Sequence, residues 1–467
     1  MLLKEKKIKK IISLNCGSSS VKLSVFNFNL QAACGVFSRK GKKCVPSSDL
    51  LSQADLALDR VLSCSIEEIG TEHGSFRLKT KFRSKNKDKN NRYKDTENAV
   101  EKEENINKSF AGHEEALHYI FSKAGLLKII KADVVVHRYV HGGNRYIEPL
   151  LVGESDVKKL AGLNGLAPLH NPANLKGLEI MKSLLPAAKQ VCIFDTAFHR
   201  SIPLYARLYP IPIEYYEKFK IEKYGFHGIS YSFISGLLRI FDKKIKKTII
   251  CHIGNGASVC AVKNGKSADT SMGYTPLEGL MMGTRCGNID PEVPFIFKKR
   301  LNLTDEETAR ILNKKSGLLG ISKKTYDFKE LVKQKDKYSE LALKMYAYRI
   351  VKFIGQYAAV LNGFDALVFT GGIGENSDWL RKEVCSRLSY LGVKIDEEKN
   401  AAAAELFRSF EALTSGMPDV ENSVKLISAD RTDGAGRAGN SGGRIKVFAV
   451  HTDEELQMAL ESMKFMA

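Results

Sequence analysis

IISLNCGSSSVKLSVF, residues 11–26, is the stretch on which the fold turns. An apolar alternating run, a Gly/Ser turn from Asn15 to Ser20 and a second alternating run read as strand, tight turn, strand. TIICHIGNGASVCAV at 248–262 repeats the pattern, with Asn255 and Gly256 in the turn and a serine before the returning strand. Two such hairpins about half a chain apart point to an internal duplication.

Further apolar strands surround them in VVVHRYVHGG (134–143), KQVCIFDTAF (189–198) and DALVFTGGIGEN (365–376). Each ends in glycine or polar residues, which is where α/β proteins place their sites. Apolar periodicity predicts helices at 113–124, 173–184, 230–240, 305–313, 339–361 and 453–464. The expected fold class is therefore α/β, with two domains facing a cleft. KFRSKNKDKNNRYKDTENAVEKEENINK at 81–108 holds nine basic, six acidic and six Asn residues and almost nothing apolar, so it is expected to be a mobile surface insertion. The Gly-rich stretch 429–444 is expected to be a flexible loop.

Composition narrows the class. The chain has 467 residues, 43% apolar and 27% charged, which suits a globular protein of two or three domains. No run approaches the roughly 18 apolar residues of a membrane span. The apolar stretch after the basic first ten residues is broken at Asn15 and Gly17, so neither a signal peptide nor a membrane role is expected, and the protein is placed in the cytoplasm. Nine cysteines without CxxC or ligand spacing predict neither disulfides nor zinc. The charge is 72 basic minus 53 acidic residues, or +19. Its lysines sit in separate clusters (Lys4–Lys10, Lys243–Lys247, Lys298–Arg300, Lys333–Lys337) without interleaved aromatic residues, so no nucleic-acid partner is expected.

The chemistry sits at glycine. Asn15–Ser20, Gly254–Ser258 and Gly371–Asn376 each follow an apolar strand, and such turns let backbone N–H groups approach a phosphate. There is no GxxxxGK[ST] loop and no GxGxxG opening a Rossmann unit. Around them stand Arg138, His170, Asp195, His199, His227 and Arg285, residue types suited to a transferring phosphoryl group.

LNCGSSSVKL, HRYVHGG, LAPLHNPAN, FDTAFH, YGFHGISY, HIGNGASV, DTSMGYTPLEGLMMGTRCGNIDPE, SGLLGIS, FTGGIGENS and HTDEEL occur in this order. In order and wording they resemble the acetate kinase family. That resemblance implies two duplicated ribonuclease H-like (actin-like ATPase) domains closing on a nucleotide cleft. The first would comprise residues 1–199 plus 456–467, and the second, nucleotide-binding one residues 200–455. It implies reversible transfer of the ATP γ-phosphoryl group to acetate, giving acetyl phosphate and ADP, with Mg²⁺ (or Mn²⁺) and a homodimer.

Residue by residue, the resemblance assigns the metal to Asn15 and Glu454. It assigns nucleotide contacts to Lys22, His252, Ile253, Gly254, Asn255, Gly256, Asp327, Phe328, Lys329, Gly372, Ile373, Gly374, Glu375 and Asn376. Arg138 would hold acetate, Arg285 and His227 the phosphoryl in flight, with His170 close by. Asp195 matches a residue usually described as proton donor or acceptor. Acetate, already an anion, needs no general base, so orienting Arg138 or a magnesium-bound water is the role expected of Asp195. Val140, Leu169, Phe226 and Pro276 would enclose the methyl group.

The chain departs from the family pattern in having Asp327, Phe328 and Lys329 where a DMR-like triplet is usual, and Asn288 where Asp is usual. The alternatives are a propionate or butyrate kinase of the same fold, or an actin- or Hsp70-like ATPase that uses nucleotide as a switch.

Overall fold

The computed structural model describes residues 8–29, 58–87, 93–123, 132–410, 423–429 and 445–466. The chain divides into two compact units. One is Met1–Ala197 with Thr414–Pro418 and Asp453–Ala467, the other Phe198–Leu413 with Asp419–Thr452.

In the first unit the opening hairpin is β1 (Ile8–Cys16) and β2 (Val21–Asn29), paired antiparallel from Ile8↔Asn29 to Cys16↔Val21. It is followed by β3 (Leu58–Glu67), β4 (Ser75–Lys87), β5 (Tyr93–Asn107), β6 (Val134–Tyr139), β7 (Leu150–Leu151) and β8 (Lys189–Phe194), giving the sheet order β5-β4-β3-β2-β1-β6-β8-β7. β6 pairs in parallel with β1 and β8. Its residues Val134, Val135 and Val136 are all fully buried, the mark of a strand covered on both faces. Helix Asn171–Leu184 packs on β6 and β1 and buries Leu175, Leu178 and Met181, while helix Glu454–Ser462 packs on β1, β2, β6 and β8 through residues that include Leu456, Met458 and Leu460.

The second unit holds β9 (Lys247–Ile253), β10 (Ala257–Lys263), β11 (Lys266–Thr270), β12 (Ala366–Thr370), β13 (Val424–Leu426) and β14 (Lys446–Val450), in the order β11-β10-β9-β12-β14-β13. β10 runs antiparallel to β9 and β11, β12 runs parallel to β9 and β14, and β13 closes antiparallel on β14. Strand for strand this repeats β3-β2-β1-β6-β8-β7 of the first sheet, so the duplication suggested by the two hairpins extends to six strands.

The first sheet differs by the added strands β4 and β5, which take up most of the insertion read at 81–108. Residues 81–87 continue β4, 93–107 form β5, and the two pair antiparallel with Lys79↔Glu103, Lys81↔Glu101 and Lys85↔Asp95 as partners. The composition offers little to bury, but the ladder pairs the backbone, Lys79 stands across from Glu103, and Phe76 and Leu78 anchor the base in the core. Exposed pairs such as Arg77–Glu103 (3.7 Å) add little individually. Residues 88–92, and of the Gly-rich stretch 429–444 all but Ala429, lie outside the described residues.

Candidate active site

In the first unit, chemistry gathers where the parallel strands end. Arg138 is the penultimate residue of β6, and Asp195 follows the last residue of β8. The guanidinium donates from Nη2 to Asp195 at 2.6 Å and from Nε to both carboxylate oxygens at 3.1 and 3.2 Å, while Nη1 stands 3.6 Å from Glu454. Burial works against its charge, but Asp195 and then Glu454 outweigh that, so its pKa is raised. Asp195, 1% exposed, is thereby held in one orientation.

The HNPAN segment braces this end of the sheet. Asn174 accepts the Val140 N–H (2.9 Å) and donates to the Cys16 carbonyl (2.6 Å), and Asn171 bonds the backbone of His141 in both directions. His170 itself is the N-cap residue of helix Asn171–Leu184. Val140 is buried and Leu169 is exposed. Asn15 lies near the end of β1, paired with exposed Lys22 on β2. Glu454 opens the last long helix behind Asp453, which caps that helix and is clamped by Arg60 at 2.6 and 2.7 Å. Asn15 and Glu454 thus present oxygen donors from packed elements, the ligand type a hard, mostly hydrated Mg²⁺ takes.

In the second unit, His227 begins helix Gly228–Phe241 from the left-handed region (φ 59°), with Nδ1 2.8 Å from the Ser258 hydroxyl and its ring stacked on His252 at 4.2 Å. A Cβ built on Gly256 would lie 3.5 Å from His227 Nε2 and 3.7 Å from Arg285 Nη1, so these two groups converge on the turn after β9. Arg285 is half-buried and its hydrogen bonds go to the Pro276 carbonyl (3.3 Å) and, weakly, the Met282 sulfur (3.9 Å). Among the described residues it forms no ion pair with a carboxylate, and burial lowers its pKa. The turn carrying it is held by the start of helix Gly317–Ser322, whose Leu318 and Leu319 N–H groups donate to Met282 and Gly283.

The GGIGEN segment is a short helix, Gly371–Asn376, rather than an open turn, entered through Gly371 at φ +78°. Any Cβ there would meet the Ile253 carbonyl at 2.9 Å, so glycine is required. Glu375 is buried against the helix start, accepting from the N–H groups of Gly371 (2.9 Å) and Thr452 (3.1 Å) and from His451 Nδ1 (2.8 Å). Burial raises its pKa, yet His451 and those N–H donors outweigh it and leave the carboxylate below its ordinary value. Arg381, fully buried, donates to the carbonyls of Gly374 (2.7 Å), Glu375 (2.6 Å) and Asn400 (2.8 Å) and to the Asn400 side chain (2.6 Å), so the other end of the helix is clamped as well.

Other expected residues have structural work. His199, buried between Ser267 and the Phe226 carbonyl, has its pKa pushed down to about 4 by burial and braces the segment before His227. Phe226 is itself buried, and Pro276 is half-buried. Phe328 is buried beside Tyr346 and Trp379, Asp327 caps its helix through the Glu330 N–H, and Lys329 is exposed. Asn288 accepts the Gly279 N–H through Oδ1 at 2.7 Å, a task an Asp oxygen would also perform. Sequence reasoning passed over Asn174, Tyr231, Ser258, Arg381 and His451. Of these, Asn174, Tyr231, Ser258 and His451 lie inside the quoted motifs, which is the signal that could have found them.

The acetokinase family model matches residues 78–414. An acetate kinase of Thermotoga maritima is 46% identical over 370 residues, covering 76% of this chain and 85% of that protein, and one of Dictyoglomus turgidum is 38% identical over 97% of both. Among solved structures, a propionate kinase from Francisella tularensis aligns at TM-score 0.73 and 32% identity over 97% of this chain and 98% of its own. Porphyromonas gingivalis acetate kinase aligns at 0.72 and 32% over 98% and 100%. With matches of this extent and a doubled α/β fold whose strand ends carry these residues, the chain belongs to the acetokinase family.

Proposed function

We propose that the protein is an ATP-dependent acetate kinase, transferring the γ-phosphoryl group of ATP directly to acetate. The observation that carries this reading is the convergence of His227 Nε2 and Arg285 Nη1 on the turn after β9, two donors with no carboxylate to occupy the arginine. Such a pair suits the charge that spreads over a phosphoryl group in flight.

The chemical obstacle is repulsion between two anions, roughly 3 kcal/mol for unit charges about 5 Å apart at an effective dielectric near 20. Arg138 offsets it by holding the acetate carboxylate. Its Nε and Nη2 are committed to Asp195, and the separation of Nη1 from Glu454 is longer than a hydrogen bond, which leaves Nη1 for the substrate. Asp195 orients Arg138 in this reading, and no proton transfer to acetate is needed. Val140 supports a small methyl pocket, with Leu169, Phe226 and Pro276 as its other proposed members and His170 nearby.

The nucleotide is assigned to Lys22, the turn His252–Gly256, the helix containing Gly372, Ile373 and Gly374 through Asn376, and Asp327–Lys329. Asn15 and Glu454 would hold Mg²⁺, with Mn²⁺ as a substitute. When bound with the nucleotide, the metal neutralises phosphate charge.

A homodimer and a cytoplasmic setting belong to the same reading. The first is supported by the exposed apolar side chains Leu204, Tyr205, Ile211, Ile213 and Phe219, which cluster in sequence. Among the described residues no helix is long and apolar enough to cross a membrane.

The deciding experiment incubates the protein with MgATP and acetate and traps acyl phosphate with hydroxylamine. Hydroxamate that requires acetate supports the reading. ATP hydrolysis without hydroxamate overturns it in favour of a nucleotide-switch ATPase, and faster turnover of propionate or butyrate moves the substrate assignment to those acids.

A further inference from the structure

His227 is held by more than its place at a helix start. Its Nδ1 lies 2.8 Å from Ser258 Oγ, and that same oxygen lies 2.5 Å from the hydroxyl of Tyr231, four residues further along the helix. Ser258 and Tyr231 are both fully buried. Bulk water therefore does not set the direction of these hydrogen bonds; the acidity of the groups does. Burial pushes the Tyr231 phenol well above its ordinary pKa of 10, so it keeps its proton. Of the two hydroxyls a phenol is the stronger acid, and it donates to the serine oxygen.

That choice propagates. Serine has one hydrogen, and with Tyr231 donating to Oγ this hydrogen points to Nδ1 of His227, which accepts. In a neutral imidazole an accepting Nδ1 leaves the proton on Nε2. Nε2 is the ring nitrogen nearest the position a Cβ on Gly256 would take, the point on which Arg285 Nη1 also converges.

We propose that Tyr231 and Ser258 are positioning residues that fix His227 as the neutral Nε2–H tautomer, so that it meets the phosphoryl group as a hydrogen-bond donor. The proposal rests on the reading that His227 faces that group. The opposite order, with Nδ1–H donating to Ser258, would turn a nitrogen lone pair toward an anion. A doubly protonated ring would make Ser258 accept from both Nδ1 and Tyr231 and leave its own buried hydrogen with neither as acceptor. The Arg285 guanidinium, which converges on the same turn, further disfavours a second positive charge on the imidazole stacked on His252.

The test is nitrogen NMR of the full chain with ¹⁵N-labelled histidine, in which the protonated and unprotonated ring nitrogens of a neutral imidazole are well separated. The His227 signals are identified by their loss in His227→Gln. The expected result is a single Nε2–H tautomer in the wild type, a tautomer mixture in Tyr231→Phe and Ser258→Ala, and retention of the wild-type pattern in Ser258→Thr. In Tyr231→Phe and Ser258→Ala kcat should fall about five- to tenfold, with both KM values within about twofold, as expected for one misdirected hydrogen bond, while Ser258→Thr keeps the wild-type kcat. Ser258→Ala, the smaller change, carries the test if Tyr231→Phe does not fold. An Nδ1–H ring in the wild type, or an unaltered spectrum in both variants, overturns the proposal. An Nε2–H ring together with full activity in His227→Gln supports the tautomer assignment and overturns the phosphoryl reading instead.

Discussion

At the carboxyl end of the first sheet, Arg138 lies against Asp195 at 2.6 Å and Glu454 at 3.6 Å, whereas in the second unit the hydrogen bonds of Arg285 among the described residues go to a carbonyl and a thioether. The backbones carrying them belong to units that repeat the same six-strand order, so the difference lies in charge compensation and not in topology. A paired arginine is aimed before substrate arrives, and its net charge is largely spent. An arginine without a carboxylate pays a desolvation cost in the resting protein and keeps its full attraction for an incoming anion. The first suits a carboxylate that must be placed, the second a phosphoryl group whose charge must be stabilised.

Arg138→Ala should strike hardest, because it removes the two-nitrogen cationic partner of the buried Asp195 carboxylate. Breaking a buried pair from one side costs about 3–5 kcal/mol, so thermal unfolding should show a large loss of stability, and Arg138→Ala/Asp195→Ala should recover part of it. An unchanged Tm in the single variant would mean the pair is as inconsequential as a surface one. Arg285→Ala should do the reverse: stability unchanged or improved, with kcat lowered about 10²–10³-fold, equivalent to roughly 2.7–4 kcal/mol. If its effect fell on the acetate KM with kcat intact, the roles assigned to the two arginines would have to be exchanged.

The units can also be compared through acid. Each holds a histidine kept neutral by burial, His137 against Gln190 and His199 against the Phe226 carbonyl, and burial brings both to about 4. In the unfolded chain they take up protons near pH 6.5, so the unfolded state binds more protons between pH 6.5 and 4, and stability falls as pH drops through that window. The loss is on the order of 3 kcal/mol per histidine at the acid end, at 1.36 kcal/mol per pH unit. Urea unfolding across this range should show it for both units, and a midpoint independent of pH would exclude it.

The smallest effect is expected at exposed Lys329. Lys329→Arg should lower the ATP KM severalfold, about 1 kcal/mol, and leave kcat within about twofold, because a guanidinium regains planar, two-donor contact with the nucleotide. An unchanged KM would remove this residue from the nucleotide site.

Much of this was legible in the residues. Both hairpins, the three buried parallel strands read from sequence and the six helices lie where alternation and period place them, since burial on one or both faces leaves that imprint directly. The glycine turns and strand-end charges could be picked out by their chemistry, while their individual roles were named through the resemblance of the motifs to the acetate kinase family. Two kinds of feature escaped. Arg381 reads as a surface arginine in DWLRKEV, because its partners are carbonyls of the Gly371–Asn376 helix and of Asn400, and a carbonyl has no sequence signature. The strands β4 and β5 escaped because a test of composition weighs only what side chains bury, and a hairpin is also held by its ladder.

That hairpin has a bearing on solubility. Among the described residues β5 lies at the end of the first sheet, the position from which sheets of neighbouring molecules can join and grow into fibrils. Its sequence, YKDTENAVEKEENIN, holds five acidic residues against two basic ones, so a second copy docking there would bring net negative charge against net negative charge. The same composition that offers the core so little protects the protein from polymerising through its own edge, and apolar replacements along β5 would be expected to shorten its colloidal lifetime well before they altered its catalysis.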